Sequence, residues 1–143
     1  MKLGLLLPGQ GAQTVGMGID FAQSSAAAQS IFAQADEILG LSLSSLCFNG
    51  PLEELTRTDI AQPAIYTCSL AALAALEEKM GKPLEPSMAA GLSLGEYTAL
   101  TAANALSFAD GLRLVRLRGQ AMQEASEQLD SSMTSVLGLE REP

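Results

Sequence analysis

No histidine occurs anywhere in the 143 residues. A serine nucleophile in such a chain lacks an imidazole of its own to take its proton, the usual arrangement in serine catalysis. Cysteine is almost as scarce. Cys47 and Cys68 are the only two, too few for a disulfide framework and without metal-ligand spacing, so no metal site is expected. Both stand in apolar surroundings and read as buried thiols of a reducing compartment, which points to the cytoplasm. Cations are few as well: 8 Lys and Arg face 16 Asp and Glu, for a net charge of −8. Non-specific nucleic-acid binding needs clustered cations and is excluded; the surplus of carboxylates reads as a solubility feature. Long apolar runs are missing too. The run at residues 3–7 is too short for a signal sequence and ends in a turn at Pro8-Gly9. No stretch reads as membrane-spanning, so no membrane partner is expected.

Aromatics make up 4 % of the chain against 48 % hydrophobic residues, so the core must be built from Leu, Ala, Ile, Val and Met. Ala-rich helices pack closely, which suits a layered helix-and-sheet domain. Residues 3–7 are continuously apolar and read as a strand buried on both faces, as in a parallel sheet. A glycine-rich loop follows. Residues 21–39 carry apolar side chains at helical spacing, with Gly40 as the stop. A short helical turn is expected over 43–48, and Pro51 opens another, with Glu53 and Glu54 at its N-terminus.

Gln62-Pro63 reads as the start of a long helix over 63–80, capped by Gly81. Residues 87–90 form a brief apolar strand running into Gly91, and a helix is expected over 95–103. Ser107 and Asp110 make a capping box for a helix over 108–129, and residues 133–139 alternate like a new strand. The order argues for an α/β domain.

Gly91-Leu92-Ser93-Leu94-Gly95 matches G-x-S-x-G in the setting that gives the motif meaning, a strand before it and a helix after it. A sharp turn holds the serine in a strained conformation, and the flanking glycines let neighbouring backbone approach without a Cβ clash. The hydroxyl then projects at a helix N-terminus, where free N–H groups favour a developing oxyanion. The amide of Leu94 supplies one such donor. The loop at Gly9-Gln10-Gly11 lacks the Lys and Ser/Thr of a phosphate-binding P-loop.

Four blocks carry a resemblance: residues 7–18 with Pro8-Gly9-Gln10-Gly11, Gln62-Pro63-Ala64, residues 91–97, and residues 118–123 beginning Arg118-Gly119-Gln120. In this order and spacing they resemble the malonyl-CoA:acyl-carrier-protein transacylase family, whose domain also occurs in polyketide and fatty-acid synthases. The resemblance implies that Ser93 attacks a thioester and carries the acyl group as an ester. It implies that the amide of Gln10 is a second oxyanion donor beside Leu94. It also implies that Arg118 holds the carboxylate of a malonyl group through its planar fork, which Lys cannot reproduce. Gln62 either lines this pocket or caps the helix at Pro63. Arg113 and Arg116 read as solvated charges. The implied substrate is malonyl-CoA, the implied partner acyl carrier protein, and no cofactor is called for.

The chain departs from the family at two places. Members carry His before the serine, where this chain has Leu92, and their general base is a His further downstream. General-base help is worth roughly 10²–10⁴-fold; Glu96 and Asp110 are substitutes by residue type only. The resemblance therefore implies the N-terminal portion of a transacylase: a three-layer, mainly parallel α/β sheet with a serine elbow, incomplete at its C-terminus. Residues 1–130 would be part of the core and 131–143 the start of a small subdomain. A complementary C-terminal chain would complete it, and a sheet edge left open by missing strands would favour self-association. The competing readings are an inactive or split acyltransferase fragment acting as a binding partner, and an esterase-like hydrolase.

Overall fold

The computed structural model describes residues 2–128, so the strand expected over 133–139 and the unit expected over 131–143 lie outside the described residues. The elements run β1 (Gly4–Leu7), α1 (Ile19–Ser24), α2 (Ala26–Leu39), α3 (Leu43–Asn49), α4 (Leu52–Thr56), α5 (Thr58–Met80), β2 (Met88–Gly91), α6 (Gly95–Ala102) and α7 (Phe108–Gln128). This is a helix-rich α/β arrangement with a small parallel sheet. β1 and β2 pair in parallel from Gly4↔Met88 to Leu7↔Gly91.

α5 is the central element. Its Ile60, Ala64, Ile65, Tyr66, Leu70 and Ala71 are buried between α2 and α7, the two helices it packs against most extensively. Alanines along α5 let the neighbouring backbones come close, and Phe32 in the core meets half-buried Phe48 edge to face at 4.9 Å. At 23 residues α5 is long and apolar enough to cross a membrane by length and composition, which corrects the expectation that no stretch has that character. Most of its apolar surface lies inside the fold.

Two boundaries and the burial of the sheet differ from the sequence reading. The apolar periodicity over 21–39 hides a break at Ser25, whose backbone is extended (φ −137°, ψ 121°) and whose hydroxyl accepts from the amide of Ala28 at 3.1 Å. A serine cap of this kind is worth about 1 kcal/mol, enough to start a new helix inside a periodic run. Second, α5 begins at Thr58 rather than Pro63, so Pro63 sits inside it. Third, the sheet strands are not buried on both faces. Leu5, Leu7, Ala89 and Gly91 are half-buried, whereas Gly4, Leu6, Met88 and Ala90 are exposed, with Leu6 at 87 % and Met88 at 71 %. α6 packs on these strands, and residues 2–128 supply no second layer over Leu6 and Met88.

Other expectations hold. Gly40 and Gly81 end α2 and α5 in the left-handed region. Ser107 Oγ accepts from the amide of Asp110 at 3.1 Å and donates to its carboxylate at 2.7 Å, completing the cap of α7. Cys47 is buried as expected, whereas Cys68 is only half-buried; both are free thiols. Burial pushes the Cys47 thiol up to about 12, with Cys68 and Asp36 adding to the effect, and pushes Cys68 up to about 11.

Candidate active site

The chain turns sharply where β2 meets α6. The Leu92 amide donates to the carbonyl of Leu7 at 3.3 Å, continuing the sheet register one step, and Gly95 N–H then returns to the Leu92 carbonyl at 2.9 Å. Between them Ser93 takes φ 53°, in the left-handed region that β-carbon-bearing residues avoid. The glycines on either side have a steric reason. A Cβ on Gly91 would lie 1.9 Å from the carbonyl carbon of Gly95, and one on Gly95 would lie 2.4 Å from the Leu7 oxygen. Leu94, fully buried, anchors the turn in the core. The next two amides, of Glu96 and Tyr97, return to the carbonyls of Ser93 and Leu94 and open α6.

The glycine-rich loop after β1 comes to the same place. A Cβ on Gly9 would lie 2.6 Å from the carbonyl oxygen of Leu92, so the Gly9-Gln10 segment rests directly on the elbow. The amides of Gln10 and Leu94 have no hydrogen-bond acceptor among the described residues, and remain available to an oxyanion.

Arg118 joins the nucleophile to the rest of the cluster. Its Nη2 donates to Ser93 Oγ at 2.8 Å, and its Nη1 donates to Gln62 Oε1 at 2.8 Å. Gln62, fully buried, donates in turn through Nε2 to Gln10 Oε1 and to Met122 Sδ, both at 3.2 Å. Gln10 Nε2 reaches Thr58 Oγ1 at 3.2 Å. The guanidinium also stands 5.9 Å from the centre of the Tyr97 ring, at the outer reach of a cation–π contact. Ser93, Gln10, Gln62 and Arg118, from four separate elements, thus form one connected network.

Two readings need correction. Gln62 does not cap a helix at Pro63, because α5 starts four residues before Gln62; its amide belongs to the cluster. Arg116 is not a solvated charge. Its side chain is only 22 % exposed and pairs with Asp59 Oδ2 at 3.2 Å. Arg113, paired on the surface with Asp110, does keep the solvated reading. Tyr97 and Met122 were missed as neighbours of the site, although both lie inside the matched sequence blocks.

No proton acceptor is bonded to Ser93 Oγ among the described residues. Among the described residues, the side-chain group bonded to Ser93 Oγ is the Arg118 guanidinium, which stays protonated and cannot act as a base. The Asp110 carboxylate is engaged with Ser107 and Arg113. Glu96 lines a groove beside Ala89, Ala90 and Gly91.

Known proteins resemble this chain in sequence and in fold. The acyl transferase domain family matches residues 5–141. The malonyl CoA-acyl carrier protein transacylase of Bacillus subtilis is 46 % identical over 141 residues, covering 99 % of this chain and 44 % of that protein. The acyl-carrier-protein S-malonyltransferase structure from Bartonella henselae superposes with a TM-score of 0.82 at 41 % identity, over 87 % of this chain and 40 % of that one. A malonyl-transacylase solved in complex with its type II PKS acyl-carrier protein gives 0.81 at 43 % identity, again over 87 % of this chain and 40 % of that one. The chain spans less than half the length of these relatives. With its elbow, its glycine-rich loop and the family match over nearly its whole length, the chain belongs to the acyl transferase domain family.

Proposed function

We propose that this chain carries the nucleophile and the acyl-binding side of a malonyl-CoA:acyl-carrier-protein transacylase. The observation that carries the reading is the Arg118 guanidinium, bonded at once to Ser93 Oγ and to buried Gln62. In a malonyl group the free carboxylate is separated from the thioester carbonyl by a single methylene. An acyl group attached at Ser93 therefore brings its carboxylate beside a planar cation suited to bind it through two parallel hydrogen bonds.

Ser93 Oγ attacks the thioester carbon, the carbonyl oxygen becomes an oxyanion, and the amides of Gln10 and Leu94 stabilise it. Collapse breaks the C–S bond and leaves malonyl as the Ser93 ester; coenzyme A departs as the thiol, taking up the proton that left the serine. The thiol of acyl carrier protein then repeats the sequence in reverse on the ester. The proton relay belongs to a group outside residues 2–128, such as a complementary C-terminal chain. Malonyl-CoA is the substrate and no cofactor enters. The relatives' names are those of enzymes, which does not favour a purely binding role. The cytoplasm suits this chemistry and keeps two free thiols reduced.

Incubation with malonyl-CoA, followed by denaturation and peptide mass spectrometry, tests the reading. A malonyl adduct on the Ser93 peptide is expected, and addition of a complementary chain should increase it. Labelling that persists undiminished in Ser93→Ala would sink the assignment.

A further inference from the structure

Arg118 owes its position to α7, and α7 is held on α5 by a set of contacts one turn away from the reacting centre. Pro63 has no N–H, so the carbonyl of Asp59, four residues earlier in α5, lacks its helical partner. Arg116 fills that vacancy: its Nη1 donates to the Asp59 carbonyl and also to Asp59 Oδ2 at 3.2 Å. Asp59 is 6 % exposed, and its carboxylate is completed by Arg57, with Nε to Oδ1 at 3.1 Å. Beside this pair a Cβ on Gly119 would lie 2.8 Å from the Thr58 oxygen and 3.0 Å from the Asp59 Cα, so the two helix backbones touch here. Gln123 Oε1 accepts from the amide of Thr58 at 3.0 Å. One turn along α5 stands Gln62, and two residues along α7 stands Arg118.

We propose that Asp59 and Arg116 are a positioning pair, fixing the register of α7 on α5 so that the Arg118 fork meets Gln62 and Ser93. Pro63 is part of the device, because it frees the carbonyl that Arg116 takes. Neither residue touches the acyl group. They act through Arg118, and the consequence is selectivity for acyl groups that bear a carboxylate. This inference rests on the reading of Arg118 as the carboxylate clamp.

The test uses the full chain and two readouts. One is the ratio of dissociation constants for acetyl-CoA and malonyl-CoA. The other is the Arg118 Nε–Hε signal in NMR, identified by its loss in Arg118→Lys, which reports whether the guanidinium is held. Arg116→Ala and Asp59→Asn should each lower the malonyl preference about tenfold and broaden the Arg118 signal. Arg116→Lys should recover part of both, and Arg113→Ala should change neither.

Pro63→Ala guards against simple unfolding. It restores the helical N–H to the Asp59 carbonyl, so α5 gains a bond while Arg116 loses one, and the preference should still fall severalfold. An unmoved Arg118 signal and an unchanged ratio in both Arg116→Ala and Pro63→Ala overturn the proposal. A parent chain with no preference for malonyl-CoA overturns the transacylase reading instead, and the Arg118 signal still decides the positioning pair.

Discussion

Arg118 reaches Ser93 and Gln62 through adjacent nitrogens of one guanidinium, each at 2.8 Å. In the proposed function an acyl carboxylate would compete with the serine hydroxyl for the fork, and the Gln62 bond would keep the fork oriented. Arg118→Lys retains the charge but not the paired geometry. Hydrogen bonds to charged groups contribute about 1.5–3 kcal/mol, so malonyl-CoA affinity should fall tenfold or more while acetyl-CoA affinity is little changed. Isothermal titration with the two thioesters checks this, and equal losses for both would contradict it.

Ser93 stands at φ 53° without being glycine, a conformation that costs about 1–2 kcal/mol for an L-residue. Ser93→Gly and Ser93→Ala both remove the hydroxyl and its bond to Arg118, but only glycine relieves the backbone. In urea unfolding the glycine variant should exceed the alanine variant by about 1 kcal/mol, and neither should take up an acyl group. An alanine variant equal to or more stable than the glycine variant would argue against strain at the elbow.

Gly91→Ala is expected to do the reverse. The new methyl meets the backbone of Gly95 and Glu96, with no flexible side chain to yield, so the turn must open. Overpacking against backbone costs about 3 kcal/mol or more. The denaturation midpoint should drop accordingly, and Ser93 labelling should be lost together with it.

The Cys47 thiol is held at about 12 and Cys68 at about 11, against an ordinary 9.0, chiefly by burial. Above that ordinary value the unfolded chain releases protons that the folded chain keeps. The contribution of these thiols to stability is thus whole below pH 9.0 and is lost as the pH climbs through about 11 and then about 12. The slope is about 1.4 kcal/mol per pH unit for each thiol in its window. Urea midpoints measured from about pH 8 upward should be level at first and then fall, less steeply in Cys68→Ser. A midpoint that stays level through the alkaline range would contradict the burial of these groups.

The serine elbow was legible in the sequence because its requirement is local: two glycines and a serine at fixed spacing, between an apolar strand and a helix. Gly40, Gly81 and the Ser107–Asp110 cap were legible for the same reason. The start of α5 was not. Proline at a first helical position is the commoner pattern, and the bond that Arg116, more than fifty positions away, gives to the Asp59 carbonyl stands in for the N–H that Pro63 lacks. The same long-range pairing turned Arg116 from an apparent surface charge into a half-buried partner of Asp59. Ser25 was hidden because apolar periodicity on both sides kept the helical phase. The exposed face at Leu6 and Met88 could not be inferred from an apolar run, which reports what a strand can bury and not what covers it.

The two strands that frame the elbow are more than eighty positions apart in the chain, with α1 to α5 between them. Helices of local contacts close quickly, whereas a parallel pairing over that distance must first meet the entropy of a long loop. The left-handed turn at Ser93 is therefore expected among the last features to mature during folding. A reagent that reacts only with a correctly presented Ser93 would serve as a clock for the completion of the fold, lagging behind any signal that follows helix formation.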